Sequence, residues 1–165
     1  MKALRKFKAN FHSFEDVLLF IRIVLLIAVL PFLIRLLTLP QLMNVLTRRS
    51  SRLRVHWNKE DYREKIVSFT DSILSRGFWI FRNTCLKRSL VLYHFLHPVV
   101  TDISICFGVR LQKDFSGQDR EKGLEGHAWL LRNGEIFLEM NRDIPKTYTV
   151  TYCFPEDKNA QGKLE

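Results

Sequence analysis

The hydrophobic period of this sequence changes once, at His97-Pro98, and the change separates two kinds of structure. Before it, apolar residues recur at helical spacing. Tyr62, Ile66, Phe69 and Ile73 step by four, three and four through Lys59 to Ser75, with Lys59, Arg63 and Glu64 on other faces. After it, Ile103, Ile105, Phe107, Val109 and Leu111 alternate with Asp102, Ser104, Cys106, Gly108 and Arg110, the two-residue repeat of a strand. Helices first and strands afterwards predict an α+β domain, N-terminal helices followed by an antiparallel sheet. A length of 165 residues suits one such domain, and 47% hydrophobic residues supply its core and exclude wholesale disorder.

Within the helical half, Val17 to Leu39 is nearly all apolar, interrupted by Arg22, Pro31, Arg35 and Thr38. The two arginines project from different faces, so this helix is expected to be apolar all round. A membrane span needs about 20 apolar residues, whereas the unbroken run Ile23 to Ile34 has twelve. A core or interfacial helix therefore fits better than a span. A cleaved secretory signal fits least, because Glu15 and Asp16 spoil the basic flank and no A-x-A-like site follows. Pro40 is expected to end or bend the helix. A shorter helix, Gln41 to Thr47, then leads into Arg48, Arg49, Arg52 and Arg54.

The net charge of +9 is concentrated in the same region. Residues 1–54 hold ten Lys and Arg against Glu15 and Asp16, a net +8, and the remainder of the chain stands at +1. Such an arm favours a membrane surface, nucleic acid or an acidic peptide. No nucleic-acid module follows it, so nucleic acid is not an expected partner. The organisation expected is a basic arm with an apolar helical region over 1–56, a core over 57–155 and a polar tail over 156–165.

Asn83 or Thr84 can cap a helix running to about Leu96, with Leu86, Leu90 and Tyr93 on one stripe. Beyond the first strand, Gln112 to Gly126 is polar, carries three glycines and reads as a mobile loop. Two strands follow, Gly126 to Leu131 and Glu135 to Met140, turned at Asn133-Gly134. A last strand covers about Thr147 to Phe154, with Tyr148, Val150, Tyr152 and Phe154 on one side.

Three residues draw attention as chemistry. Cys85 falls in the first turn of its helix, where exposed N–H groups and the helix dipole favour a thiolate, and Lys87 and Arg88 add positive potential. His127 opens the strand HAWLL after the glycine-rich loop, a place where a base is held rigidly yet stays accessible. Together they form a candidate nucleophile and base. The third is set by the hairpin. A two-residue turn at Asn133-Gly134 would leave Glu139 on the face opposite His127. A three-residue loop, Arg132-Asn133-Gly134, would pair Leu131 with Glu135 and set Glu139 directly across from His127. The second register also gathers Ala128, Leu130, Ile136 and Leu138 into one apolar face and is preferred. In it Glu139 accepts the Nδ1 proton of His127, as in a catalytic triad. Cys106 and Cys153 read as strand packing residues. Three cysteines without a CxxC pair argue against a disulfide scaffold and for a reducing compartment. His94 and His97 lack further ligands at metal-site spacing, so no metal and no cofactor is expected.

Arg82-Asn83-Thr84-Cys85-Leu86-Lys87-Arg88-Ser89-Leu90 resembles the R-x-x-C-L-x-R-S-L signature of the lasso-peptide maturation proteases, members of the transglutaminase-like cysteine protease superfamily related to the microcin-processing protein. Gly108-Val109-Arg110 resembles that family's G-V-R strand and His127-Ala128-Trp129 its H-A-W motif. The resemblance implies a transglutaminase-like, papain-like core that removes the leader from a ribosomally made precursor, after which an ATP-dependent cyclase closes the ring. Cys85 would be the nucleophile and His127 the general base and acid. Glu139 falls at a position that is commonly Asp, with Asn141 and Asp143 as substitutes. Arg82 or Asn83 would support the oxyanion. The chain looks like the stand-alone protease of a split system, cytoplasmic or peripheral to the inner face of the membrane, partnered by a separate leader-binding protein. The rival readings are a non-catalytic membrane-associated scaffold of the same fold and another acyl-transfer activity.

Overall fold

The computed structural model describes residues 14–50, 58–75, 84–111, 123–139 and 141–155. Four helices come first: α1 (Phe14–Leu36), α2 (Leu39–Ser50), α3 (Lys59–Leu74) and α4 (Cys85–Leu96). Four strands follow: β1 (Ile103–Leu111), β2 (Leu124–Arg132), β3 (Glu135–Phe137) and β4 (Thr149–Phe154), with a 3-10 turn at Pro145–Thr147. The α+β order read from the period change is the order observed. The described residues divide into two compact units, the helices up to Val99 and the sheet from Val100.

In the helical unit α4 packs against each of the other three helices. Every residue from Ser89 to Leu96 is buried, which a single apolar stripe did not anticipate. Tyr62, Ile66, Phe69 and Ile73 of α3 are buried as their spacing requires. His94 donates from Nδ1 to the Leu46 carbonyl at 2.8 Å and so ties α4 to α2. The first helix runs through Pro31 to Leu36, and Pro40 sits in the first turn of α2, where a missing N–H costs little. There Gln41 Oε1 accepts from the Thr38 N–H at 3.1 Å, half of a capping box, so α2 begins earlier than Gln41. The expectation that α1 is apolar all round acquires a direction. Leu19, Ile23, Ile27 and Leu30 are buried, whereas Leu25, Phe32 and Leu36 are exposed.

The sheet is antiparallel in the order β3-β2-β1-β4. Three expectations are corrected in it. First, the hairpin uses the two-residue turn: Arg132 pairs with Glu135, Leu131 with Ile136 and Leu130 with Phe137. Asn133 and Gly134 both adopt positive φ, 52° and 78°, the primed turn whose twist matches the strands. Leu138 (φ 59°) then leaves β geometry, and β3 ends at Phe137 instead of reaching Met140. Second, a bulge between the Phe107–Tyr152 and Gly108–Val150 pairs divides the last strand. Tyr148 and Val150 therefore share a cluster with Cys106, Trp129 and Leu131, while the Tyr152 ring lies 5.9 Å from that of Phe107. Third, Cys106 and Cys153 form a disulfide. They are paired residues on β1 and β4 with Cα atoms 4.2 Å apart, a proximity that depends on strand order and leaves no mark on the spacing of the cysteines.

Candidate active site

Cys85 opens α4. Thr84, in extended backbone, is the N-cap: its hydroxyl accepts from the Lys87 N–H at 3.3 Å and its carbonyl from the Arg88 N–H at 3.1 Å. Of the two capping residues the sequence offered, Thr84 is the one used. The cap fixes Cys85 as the first helical residue, on the turn that carries the positive end of the helix dipole. One turn later Arg88 grips Asp71 of α3 with both arms of its guanidinium, Nε to Oδ1 at 2.7 Å and Nη2 to Oδ2 at 3.2 Å. This fork sets the start of α4 against α3 and gives the Arg of the R-S-L segment a positioning role. Cys85 is half-buried and is the thiol that remains outside the disulfide.

His127 lies on β2 opposite Gly108 of β1. Its ring stacks on Tyr148 at 5.1 Å and on Trp129 at 5.9 Å between centroids. Gly108 makes this possible: a Cβ there would fall 2.9 Å from both the Thr149 carbonyl oxygen and the Trp129 ring. Arg110, two residues on, lies 4.5 Å above the Tyr148 ring, donates from Nε to Glu125 at 2.9 Å and from Nη1 to the Thr147 hydroxyl at 2.9 Å. The Arg110 and Tyr148 side chains hold the Glu125 carboxyl below its usual range. Burial lowers the pKa of His127, the Arg110 charge adds to the effect, and Glu125 opposes it. Burial and the Arg110 charge thus favour the neutral ring. Its Nε2 is buried and has no hydrogen-bond partner among the described residues.

The other proposed site residues are placed less simply. Glu139 is half-buried, two residues beyond the end of β3. The register that set it across from His127 does not form, and left-handed Leu138 takes the following chain out of the two-residue alternation. The His127 nitrogen without a partner among the described residues is Nε2, whereas that register would give Nδ1 to Glu139. Asn141 accepts from the Asp143 N–H at 3.0 Å, and Asp143 pairs with Lys146 at 2.9 Å, so both substitutes hold local turn structure. Lys146 keeps the Asp143 carboxyl below its usual range. Arg82 and Asn83 lie outside the described residues, as does the Gln112–Gly126 loop up to residue 122.

Sequence reasoning missed Glu125 and Tyr148. The polar run from Gln112 to Gly126 reads as loop at Glu125, but β2 begins at Leu124 and pairs Glu125 with Arg110. The available signal was the G-V-R segment, whose Gly makes room for Trp129 and whose Arg binds the carboxylate that acts on His127. A family model described as the transglutaminase-like superfamily matches residues 26–153. No curated protein and no solved structure is significantly similar to the chain.

Proposed function

The chain belongs to the transglutaminase-like superfamily, and from that premise we propose that it is a cysteine protease that cuts the leader from a ribosomally made lasso-peptide precursor. The observation that carries this reading is the setting of His127: its ring stacks on Tyr148 and Trp129, burial lowers its pKa, and its Nε2 has no hydrogen-bond partner among the described residues. Those are the properties of a general base awaiting its partners. The match also spans both motif segments, 82–90 and 127–129, that resemble the maturation proteases.

In the reaction, His127 takes the Cys85 proton and the Cys85 sulfur adds to the carbonyl carbon at the leader–core junction. The Cys85 backbone N–H, aided by Arg82 or Asn83, holds the oxyanion. Collapse expels the core amine, which leaves with the proton from His127, and the leader remains as a thioester on Sγ. His127 then deprotonates water, which attacks the thioester and releases the leader acid and the thiol. Glu139 orients the imidazole by accepting from its second ring N–H. A small leader-binding protein delivers the precursor, and an ATP-dependent cyclase consumes the freed core.

The test is mass spectrometry of a leader–core precursor incubated with the protein and its leader-binding partner. Wild type is expected to give one cut. Cys85→Ala and His127→Ala should lower the rate by at least about 100-fold, the scale of a lost acid–base catalyst, and Glu139→Ala by less. A folded wild-type protein that binds precursor and leaves it whole would favour the non-catalytic scaffold. A product joined to an amine or another acceptor would favour acyl transfer.

A further inference from the structure

The first helix is longer and more apolar than the packing of its unit uses. Leu19, Ile23, Ile27 and Leu30 are buried, and Asp16, fully buried at the N-terminal end of that side, pairs with Lys65 of α3 at 2.6 Å. The opposite side carries a second stripe that nothing among the described residues covers. Phe14, Leu18 and Ile21 recur eleven residues later as Leu25, Val29 and Phe32, and Leu25 recurs as Leu36. All are exposed, Leu25 to 58% and Phe32 to 63%. The stripe runs about 33 Å at 1.5 Å per residue.

We propose that α1 is an in-plane docking helix that seats this stripe in the interfacial layer of an anionic lipid bilayer. Four observations select that occupant. Arg22 and Arg35, both exposed, lie on opposite flanks of the stripe, where their stems reach along the apolar surface while the guanidinium groups meet headgroups. The surrounding residues 1–54 carry a net +8, which complements anionic lipid and repels a second copy of the same chain. An eleven-residue recurrence keeps the stripe close to parallel with the helix axis, suited to a plane, whereas a two-chain left-handed coil needs sevens. Finally, the pairing of buried Asp16 with half-buried Lys65 and the packing of α1 on α3 argue for lying in the interface over crossing. A crossing helix would carry Lys59, Glu60, Asp61, Arg63 and Glu64 of α3 towards the hydrocarbon. The helix is long and apolar enough to span by composition alone; its contacts within the protein are what distinguish the two.

The experiment is co-sedimentation of the full chain with phosphatidylcholine vesicles, with and without phosphatidylglycerol, using wild type and Cys85→Ala so that binding is read apart from activity. Both proteins should bind the anionic vesicles, at least about tenfold more tightly than the zwitterionic ones, and release in high salt. Leu25→Glu/Phe32→Glu should lose at least about tenfold in binding, with helix content and thermal midpoint unchanged. Phe32→Gln alone, at a more exposed position, serves should the double variant misfold, and it should weaken binding in the same direction. The proposal is overturned by absence of anionic-vesicle binding or by binding that these substitutions leave unaltered. It is equally overturned by attachment that only detergent reverses, which indicates a span, or by a lipid-free oligomer that the same substitutions dissolve, which indicates a second copy.

Discussion

Gly108 shows how closely the surroundings of His127 are fitted. On one side a Cβ would press on the Thr149 carbonyl, which belongs to the paired strand and has little room to retreat. Gly108→Ala is accordingly expected to cost about 1–3 kcal/mol, the range for overpacking, read as a lower urea midpoint with the Trp129 near-ultraviolet signal altered. His127 also has a thermodynamic signature. Burial lowers its pKa and that of His97, so the folded state binds these protons less readily than the unfolded chain. Above the unfolded value of about 6.5 both rings are neutral in either state and contribute no slope. As pH falls below it the unfolded chain takes up protons first, and stability declines. The thermal midpoint should therefore drop between pH 7.5 and 5.5, with a shallower fall in His97→Gln; an equal slope in that variant would contradict the assignment. The place of Cys85 at a helix start was legible because a cap leaves its mark in sequence, whereas His127, expected to open its strand, lies three residues inside one that begins at Leu124. The position of Glu139 was not legible, since it depends on the sign of φ at Asn133 and Leu138. One coherent apolar face does not distinguish the two registers in this sheet. Ala128 and Leu130 on one face and Trp129 and Leu131 on the other are all buried.

Among the elements, α4 was read almost to the residue, because a Thr cap at one end and His97-Pro98 at the other bound its apolar stretch. Removing the cap hydroxyl with Thr84→Ala should destabilise the protein by about 1 kcal/mol and loosen the turn on which Cys85 sits. Arg88→Lys should weaken the same turn, since an ammonium cannot reproduce the two-armed contact with Asp71. The strands were legible in number and type but not in pairing. The β1–β4 contact joins residues 47 apart, and the disulfide between Cys106 and Cys153 follows from it. A thiol titration should find one reactive cysteine in the native protein and three after reduction and unfolding. Reduction should lower stability by about 4 kcal/mol on the loop-entropy argument. Three native thiols would contradict the bond.

At the scale of the whole chain, the single period change at His97-Pro98 was enough to order helices before strands. The concentration of charge before residue 55 was directly readable, and it falls within the helical unit. Which face of α1 stays open was not readable, because the helix is apolar on every side and only its packing distinguishes the faces. The proposed chemistry asks more than either unit alone provides: Cys85 belongs to the helices and His127 to the sheet. The measurement that bears on this most directly is the iodoacetamide alkylation rate of Cys85, located by peptide mass spectrometry at pH 6–7 with the disulfide intact, in wild type and His127→Ala. If His127 activates Cys85, the wild-type thiol reacts at least about tenfold faster than in the variant, because the neutral imidazole takes the thiol proton as sulfur attacks. Equal rates in two folded proteins would contradict the pairing of Cys85 with His127, and the protease reading with it.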